Sequence, residues 1–468
     1  MMNQYSHVYF IGIGGIGMAA LARWFKQHNK AVLGYDQTAT HLTAELSALG
    51  ISIHFQDEVA AIPSAVLQHP TTTLVVYTPA IPEDHVILNY LKEKGYHLQL
   101  RAVVLGALTK NKLTIAVGGT HGKTTITAMI AHILYYTHKN MAAFVGGIVQ
   151  GHNTNYLINC KVEAVNIMVV EADEFNQSFL QLAPNYSIIS AIDADHPETY
   201  ADKGAVVMAF QKLAQNTTKK IIIQTDAVPQ IEENTSLSRP PMLDYDFCKG
   251  AIHGAHITLT PTHSNFDYVS PALTIEKIKL PMPGYYNINN ALAAITVCLE
   301  IGIDVDSIRQ EIQTFQGIQR RFTYIIKDKN CIFIDDYAHH PAEITTLLET
   351  AKSLYPDKRI TVIFQPHLYS RTKAFAPEFA ASLSLADALF LLPIYPAREA
   401  PITGVTSTII FDQITLPQKW LCTPASLVNL LATHSTSEVT ITLGAGDISQ
   451  LVAPIKQFLC SKYRDHYN

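Results

Sequence analysis

A chain of 468 residues predicts about three domains at roughly 150 residues each. Hydrophobic residues make up 48% and charged residues 16%, which excludes disorder as the default and gives each domain a core to bury. Lys+Arg 34 against Asp+Glu 39 gives a net charge of −5, which excludes a whole-protein binder of nucleic acid or of a membrane surface. A local anion site needs only a few residues and stays open.

In chain order, short β-rich runs alternate with longer helical stretches, the pattern of α/β architecture with parallel sheets. Residues 7–13 predict a strand, 17–28 a helix, 31–35 a second strand and 74–77 a later strand of the same unit. Residues 112–117 start afresh with a strand, followed by a Gly-rich turn and a helix from near Lys123. Further strands are expected at 166–170, 187–192 and 220–224. Around 251–280 the pattern changes to alternation, as in His256-Ile-Thr-Leu-Thr, and predicts antiparallel strands inserted or appended there. Residues 287–299 return to a helix. A third strand–helix series begins at 331–334 and continues at 360–364, 388–392 and 439–443. Domain boundaries are expected near 108 and 322, giving 1–108, 109–322 and 323–468.

The first strand runs into Gly12-Ile-Gly14-Gly15-Ile16-Gly17, a G-x-G-x-x-G loop that opens a helix. Asp36 ends the second strand, 24 residues after Gly12. This is the dinucleotide fingerprint: a tight turn, close backbone approach to a diphosphate, and a helix N-terminus facing the anion. Backbone amides recognise the diphosphate and not the base, so the nucleotide stays open at this point.

The second loop reads Gly118-Gly119-Thr120-His121-Gly122-Lys123-Thr124-Thr125, after a strand and before an apolar helix. A strict Walker A motif has glycine at position 117, where this chain has Val117. The chemistry is intact all the same. Glycines let the backbone wrap phosphate oxygens, Lys123 reaches the β/γ-phosphates and Thr124 suits Mg²⁺. Two phosphate loops on one chain suggest ATP-driven chemistry on a second, nucleotide-tagged substrate.

Glu171-Ala-Asp173-Glu174 stands at the C-terminal end of a strand, where α/β sheets present ligands, and Glu171 is placed to hold Mg²⁺ opposite Lys123. The next strand ends in Asp193-Ala-Asp195-His196. On chemistry alone His196 serves equally as a hydrogen-bonding residue or as a metal ligand. Asn287 and Asn290 share a helix face, suited to a purine edge or to a helix cap. Arg320-Arg321-Phe322 precedes the third part. Asp335-Asp336-Tyr337-Ala-His339-His340 and Gln365-Pro-His367…Arg371 follow two of its strands, so both clusters belong on one sheet edge. An arginine there suits a carboxylate ligand.

The six cysteines are scattered with no CxxC pair, which opposes a zinc knuckle or a disulfide framework and predicts a reducing, cytoplasmic setting. The first basic residue is Arg23, so no charged signal-peptide segment is expected, and no run of 18 apolar residues predicts a membrane span.

On Gly119-Thr-His-Gly-Lys-Thr-Thr125, Glu171-Ala-Asp-Glu174, Asp195-His196, Asn287…Asn290, Arg321-Phe322 and Asp336-Tyr-Ala-His-His-Pro341, the chain resembles the Mur ligases over essentially its whole length. These are the ATP-dependent amide-forming enzymes of peptidoglycan assembly. The resemblance implies an N-terminal Rossmann-like domain for a UDP-sugar, a central P-loop ATPase with a parallel sheet plus a small antiparallel sheet, and a C-terminal Rossmann-like domain admitting the amino acid. It implies UDP-N-acetylmuramate and L-alanine as substrates, ATP and Mg²⁺ as cofactors, and a monomer or weak dimer. Gly12, Gly14, Gly15, Ile16, Gly17 and Asp36 are then expected at the UDP-sugar. Residues 119–125, Asn287, Asn290, Arg321, Asp336 and His340 are expected at ATP. Thr124, Glu171 and His196 are expected at metal, with Lys123, Glu171, His196, Arg321 and Asp336 in catalysis. Tyr337, His339, His367 and Arg371 are expected to hold L-alanine.

Three positions depart from the family pattern: Tyr286 where His often stands, Leu368 in place of an arginine, and Val103 in place of a glutamate. Leu368 leaves Arg371 as the main carboxylate clamp. Three other readings compete. A relative recycling enzyme attaches a whole tripeptide to the same sugar nucleotide. The first loop alone would suit an NAD-dependent oxidoreductase or an NAD-sensing module, and the second a P-loop switch.

Overall fold

The computed structural model describes residues 4–193, 199–200, 202–233, 239–397, 399–434 and 437–464. The chain forms two compact units, one of residues 1–258, 265–281 and 286–316, the other of 259–264, 282–285 and 317–468. Among the described residues, no helix is long and apolar enough to cross a membrane.

The first unit holds two sheets. One contains β1 (His7–Ile11), β2 (Ala31–Tyr35), β3 (Ser52–His54), β4 (Thr73–Tyr77) and β5 (His97–Leu100), all parallel, in the order β3-β2-β1-β4-β5. The other begins with β6 (Leu113–Gly118), β7 (Met141–Val149), β8 (Thr154–Ile158), β9 (Ile167–Glu171) and β10 (Tyr186–Ile189). It continues with β11 (Lys220–Gln224), β12 (Met242–Asp246), β13 (Ile252–Leu259), β14 (Ser264–Val269) and β15 (Thr274–Leu280). Their order is β15-β14-β13-β12-β11-β10-β6-β9-β7-β8. The alternating stretch at 251–280 therefore extends the central sheet, with β13 joining β12 in parallel. The antiparallel β7–β8 hairpin closes the other edge.

The central strands β1, β4, β6, β9, β10 and β11 are buried runs, mostly apolar, because helices cover parallel sheets on both faces. Val8 and Phe10 of β1, Met168 and Val170 of β9, and Ile221 and Ile223 of β11 belong to one core cluster that continues between the two sheets. Trp24, on the helix Ile16–Gln27, is central to it: its ring lies 5.9 Å from Phe144 of β7 and 6.2 Å from Tyr156 of β8. The aromatic edges and faces meet at angles that favour such pairs.

The second unit carries β16 (Thr323–Lys327), β17 (Ile332–Asp336), β18 (Ile360–Phe364), β19 (Ala388–Leu391), β20 (Lys419–Leu421) and β21 (Val439–Leu443) in the order β16-β17-β21-β18-β19-β20. Only the β16–β17 edge is antiparallel. Asp336 and Phe364 both pair with Leu443 of β21. The loops after β17, β18 and β21 thus leave one edge together, as the strand ends in the sequence imply.

Candidate active site

In the first sheet β1 lies between β2 and β4, so chain order reverses beside it, and the crevice outside the carboxyl end of such a strand is where ligands bind. Gly12 takes φ +86°, which a side chain would strain, and its amide donates to Tyr35 O at 2.8 Å. Gly14 N donates to Asp36 Oδ2 at 2.7 Å, and Thr38 N donates to Asp36 Oδ1 at 3.2 Å. Asp36 thus braces the loop through Oδ2 and is itself fixed through Oδ1. Gly15 caps the helix Ile16–Gln27 without a side chain, and the Ile16 carbonyl accepts from Asn155 Nδ2 on β8 at 2.5 Å. Asn155 is fully buried, so the central sheet holds the first loop from behind.

The second loop repeats this switch at the centre of the larger sheet, where β6 runs between β10 and β9. Gly119 has φ +125°, and a Cβ there would collide with the backbone at Ser190 and Ala191. Gly122 has φ +84°, and a Cβ would meet Asn290 Oδ1. Asn290 and Asn287 are buried on the helix Tyr285–Glu300, so the structure brings Asn290 onto the phosphate loop. Thr120 is anchored through Oγ1, which accepts from Asp193 N at 2.9 Å, and His121 Nε2 lies 3.6 Å from Asp193 Oδ2. Thr125 is buried in the first turn of the helix Lys123–Tyr136.

Lys123 Nζ donates to Gly119 O at 2.7 Å and to Glu174 Oε1 at 2.8 Å. Burial alone would lower its pKa, yet the combined attraction of Glu174, Asp173 and Glu171 raises it, and the ammonium is secure. Glu171 accepts from Thr124 Oγ1 at 3.0 Å and from Gly146 N at 2.7 Å. Burial pushes the Glu171 carboxyl up, against Lys123 and these two donors. A hydroxyl and a carboxylate in contact are a hard oxygen pair, the donor type of Mg²⁺, which takes its remaining ligands from water and phosphate. The residues fit that ion. Among the described residues no group of three His, Cys, Asp or Glu could hold a metal unaided. Asp195 and His196 lie outside the described residues.

In the second unit, Asp336 is buried at the end of β17, where Oδ2 accepts from Phe322 N at 2.6 Å and Oδ1 from Ala338 N at 2.7 Å. Burial pushes its pKa up to about 6, against the Arg321 charge and the two amide donors. Asp335 accepts from Arg320 Nε at 3.1 Å and Thr442 Oγ1 at 2.7 Å. Arg321 lies 3.5 Å from Glu343 Oε1, and its guanidinium lies 5.3 Å from the centre of the Tyr337 ring. Glu343 Oε2 also accepts from His339 N at 3.1 Å. His340 caps the helix Pro341–Leu354. The rings of Tyr337, His339 and His367 form a chain with centroid separations of 5.2 and 6.0 Å, and His367 stacks on Tyr395 at 5.8 Å. Arg371 lies within the helix Tyr369–Ala374 and is only 3% exposed.

Two contributors carry no motif of their own, Asn155 and Glu343, while Glu174 of the Glu171-Ala-Asp-Glu174 motif gains its role as the Lys123 partner only in the structure. Glu343 had a faint signal, four residues after His339 in a first helical turn. Asn155 had none, because its partner Ile16 lies on a helix 139 residues earlier in the chain.

Three family models match in succession: the Mur ligase family catalytic domain over residues 7–113, the Mur ligase middle domain over 117–298, and the Mur ligase glutamate ligase domain over 320–446. The chain is 41% identical over 461 residues to a UDP-N-acetylmuramate–L-alanine ligase of Cytophaga hutchinsonii, covering 97% of each chain. It is 40% identical to the enzyme of the same name from Porphyromonas gingivalis, covering 97% of this chain and 98% of that one. Among solved structures, the UDP-N-acetylmuramate–alanine ligase of Thermotoga maritima superposes with a TM-score of 0.78 at 28% identity, covering 98% of this chain and 99% of the other.

Proposed function

The chain belongs to the Mur ligase family, and from that premise we propose that it is the ATP-dependent ligase joining L-alanine to the lactyl carboxylate of UDP-N-acetylmuramate. We assign residues 1–108 to the sugar nucleotide, 109–322 to ATP and 323–468 to the amino acid. The observation that carries the reading is that a Lys123–Thr124–Glu171 phosphate site and the first glycine loop, braced by Asp36, occur in one compact unit.

Lys123 is the cation for the γ-phosphate, and Thr124 and Glu171 would hold Mg²⁺. When bound, Mg²⁺ supplies neutralisation of the β- and γ-phosphate oxygens. The lactyl carboxylate oxygen bonds to the γ-phosphorus as the bond to the bridging oxygen of ADP breaks, which leaves an acyl phosphate. The amine of L-alanine then attacks the acyl carbon, loses a proton, and expels phosphate. The amide remains. Tyr337, His339, His367 and Arg371 are the groups assigned to L-alanine, and Arg321, Asp336 and His340 to ATP. All six cysteines are free, in keeping with the cytoplasm.

The test is release of ADP and phosphate with ATP, UDP-N-acetylmuramate and, in turn, L-alanine, glycine, L-serine or the tripeptide. Release should require the sugar nucleotide and be fastest with L-alanine. Release without the sugar nucleotide would make the chain a simple NTPase. Release driven by the tripeptide alone would make it the recycling ligase.

A further inference from the structure

We propose that Arg101 is a diphosphate-binding residue that exchanges partners, leaving Asp173 for the sugar nucleotide at the first glycine loop, and so couples that loop to the carboxylates beside the second. The proposal rests on the assignment of the first loop to a sugar nucleotide.

Arg101 opens the helix Arg101–Thr109, directly after β5 of the first sheet. A Cβ placed on Gly17 would stand 2.9 Å from Arg101 Nη1 and 3.3 Å from Cζ. The guanidinium therefore lies against the first turn of the helix Ile16–Gln27, the turn that follows the loop. That helix has no side-chain cap and no acid in its first turn, and its first intrahelical bond is from Ala19 N to Gly15 O. A helix N-terminus of this kind favours an anion, and a guanidinium beside it adds a planar, two-pronged donor.

The same guanidinium is 3.7 Å from Asp173 Oδ2, beyond hydrogen-bonding distance, with the two side chains 20% and 39% exposed. A partly exposed pair at that separation is weak. Asp173 is held in place independently, since Oδ1 accepts from Phe175 N at 3.1 Å. Arg101, Glu171 and Asp173 line one cleft. A diphosphate offers two charges and bidentate geometry, so it outcompetes one distant carboxylate for Arg101. Once Arg101 has left, the carboxylates near Lys123 lose a neighbouring cation and attract Mg²⁺ more strongly. Linkage makes the effect reciprocal.

The experiment measures UDP-N-acetylmuramate affinity by calorimetry in the full-length wild type, Arg101→Met, Asp173→Asn and the double variant. Arg101→Met should weaken binding at least tenfold and leave ADP affinity without the sugar nucleotide within threefold. Asp173→Asn should tighten sugar-nucleotide binding threefold or more, and that gain should vanish in the double variant. A gain of this sign does not come from a damaged fold. If Arg101→Met fails to fold, Asp173→Asn decides alone, and no tightening overturns the proposal. If the wild type binds but both single variants bind as it does, the proposal falls and the first-loop assignment stands. If the wild type does not bind the sugar nucleotide, the first-loop assignment falls and the proposal with it.

Discussion

Lys123 Nζ lies 2.8 Å from Glu174 Oε1, a bond that joins the phosphate-loop lysine to an acid 51 residues later, with side chains 14% and 3% exposed. The lysine is thereby folded over its own loop and kept charged where burial would otherwise discourage the charge. Removing either partner has different consequences, and the difference separates structure from chemistry.

Glu174→Gln leaves a buried ammonium without its counter-ion and is expected to cost about 3 kcal/mol. A thermal-shift measurement should show a lower melting temperature, partly restored by ATP. Lys123→Ala should instead reduce turnover by about a thousandfold through loss of charge stabilisation on the transferring phosphoryl group. Sugar-nucleotide affinity should stay within about twofold of wild type. Equal loss of both activities would contradict the separation of the two loops.

Thr124→Val removes the hydroxyl 3.0 Å from Glu171 Oε1 while conserving shape. If these oxygens hold Mg²⁺, the Mg²⁺ concentration for half-maximal rate should rise roughly tenfold in Thr124→Val, and further in Glu171→Gln. Titrating Mg²⁺ at saturating ATP reads this directly. An unchanged Mg²⁺ midpoint in both variants would place the ion elsewhere.

Gly122→Ala adds a Cβ at φ +84°, directed at Asn290 Oδ1. Backbone strain of this type costs roughly 1–3 kcal/mol, and the displaced loop should weaken ADP binding at least tenfold. Gly302, at φ +81° with nothing within 4 Å, is the matched control: alanine there meets the backbone penalty without the clash, and ADP affinity should not move.

Asp336 is expected to shape the acid stability of the second unit. Its pKa is raised by burial to about 6 in the fold, whereas the unfolded carboxyl ionises near its ordinary 3.8. Between those values the folded chain binds more protons, so this residue's contribution to stability is greatest at the acid end and falls as pH rises towards about 6, then levels. The full span is roughly 2–3 kcal/mol. Melting temperatures of wild type and Asp336→Asn across pH 4–7 should show a difference that changes over this window. A difference independent of pH would mean the carboxyl is not raised.

Much of the architecture was legible from buried β-branched runs. Strands at 31–35, 220–224, 360–364 and 439–443 match residue for residue, because each is an apolar run bounded by polar or glycine residues. The hairpin Met141–Val149 and Thr154–Ile158 was not foreseen, since Gly146-Gly147 interrupts the run and its edge position needs no continuous apolar pattern. In the phosphate site, Lys123, Thr124 and Glu171 could be named beforehand. The glycine loop puts Lys123 and Thr124 in a first helical turn, and an apolar run puts Glu171 at a strand end.

By itself the chain determined two glycine loops, their helices and the acids at strand ends, because local spacing sets backbone conformation over a few residues. Only the tertiary structure decided which charge faces which: Lys123 on Glu174, Asp36 on Gly14, Asn155 on Ile16, and Arg101 between Gly17 and Asp173. Asp36 and Gly14 are 22 residues apart and Asn155 and Ile16 are 139 apart. Such pairings follow from how helices and sheets pack, and packing depends on the summed fit of many buried side chains, which no local spacing encodes.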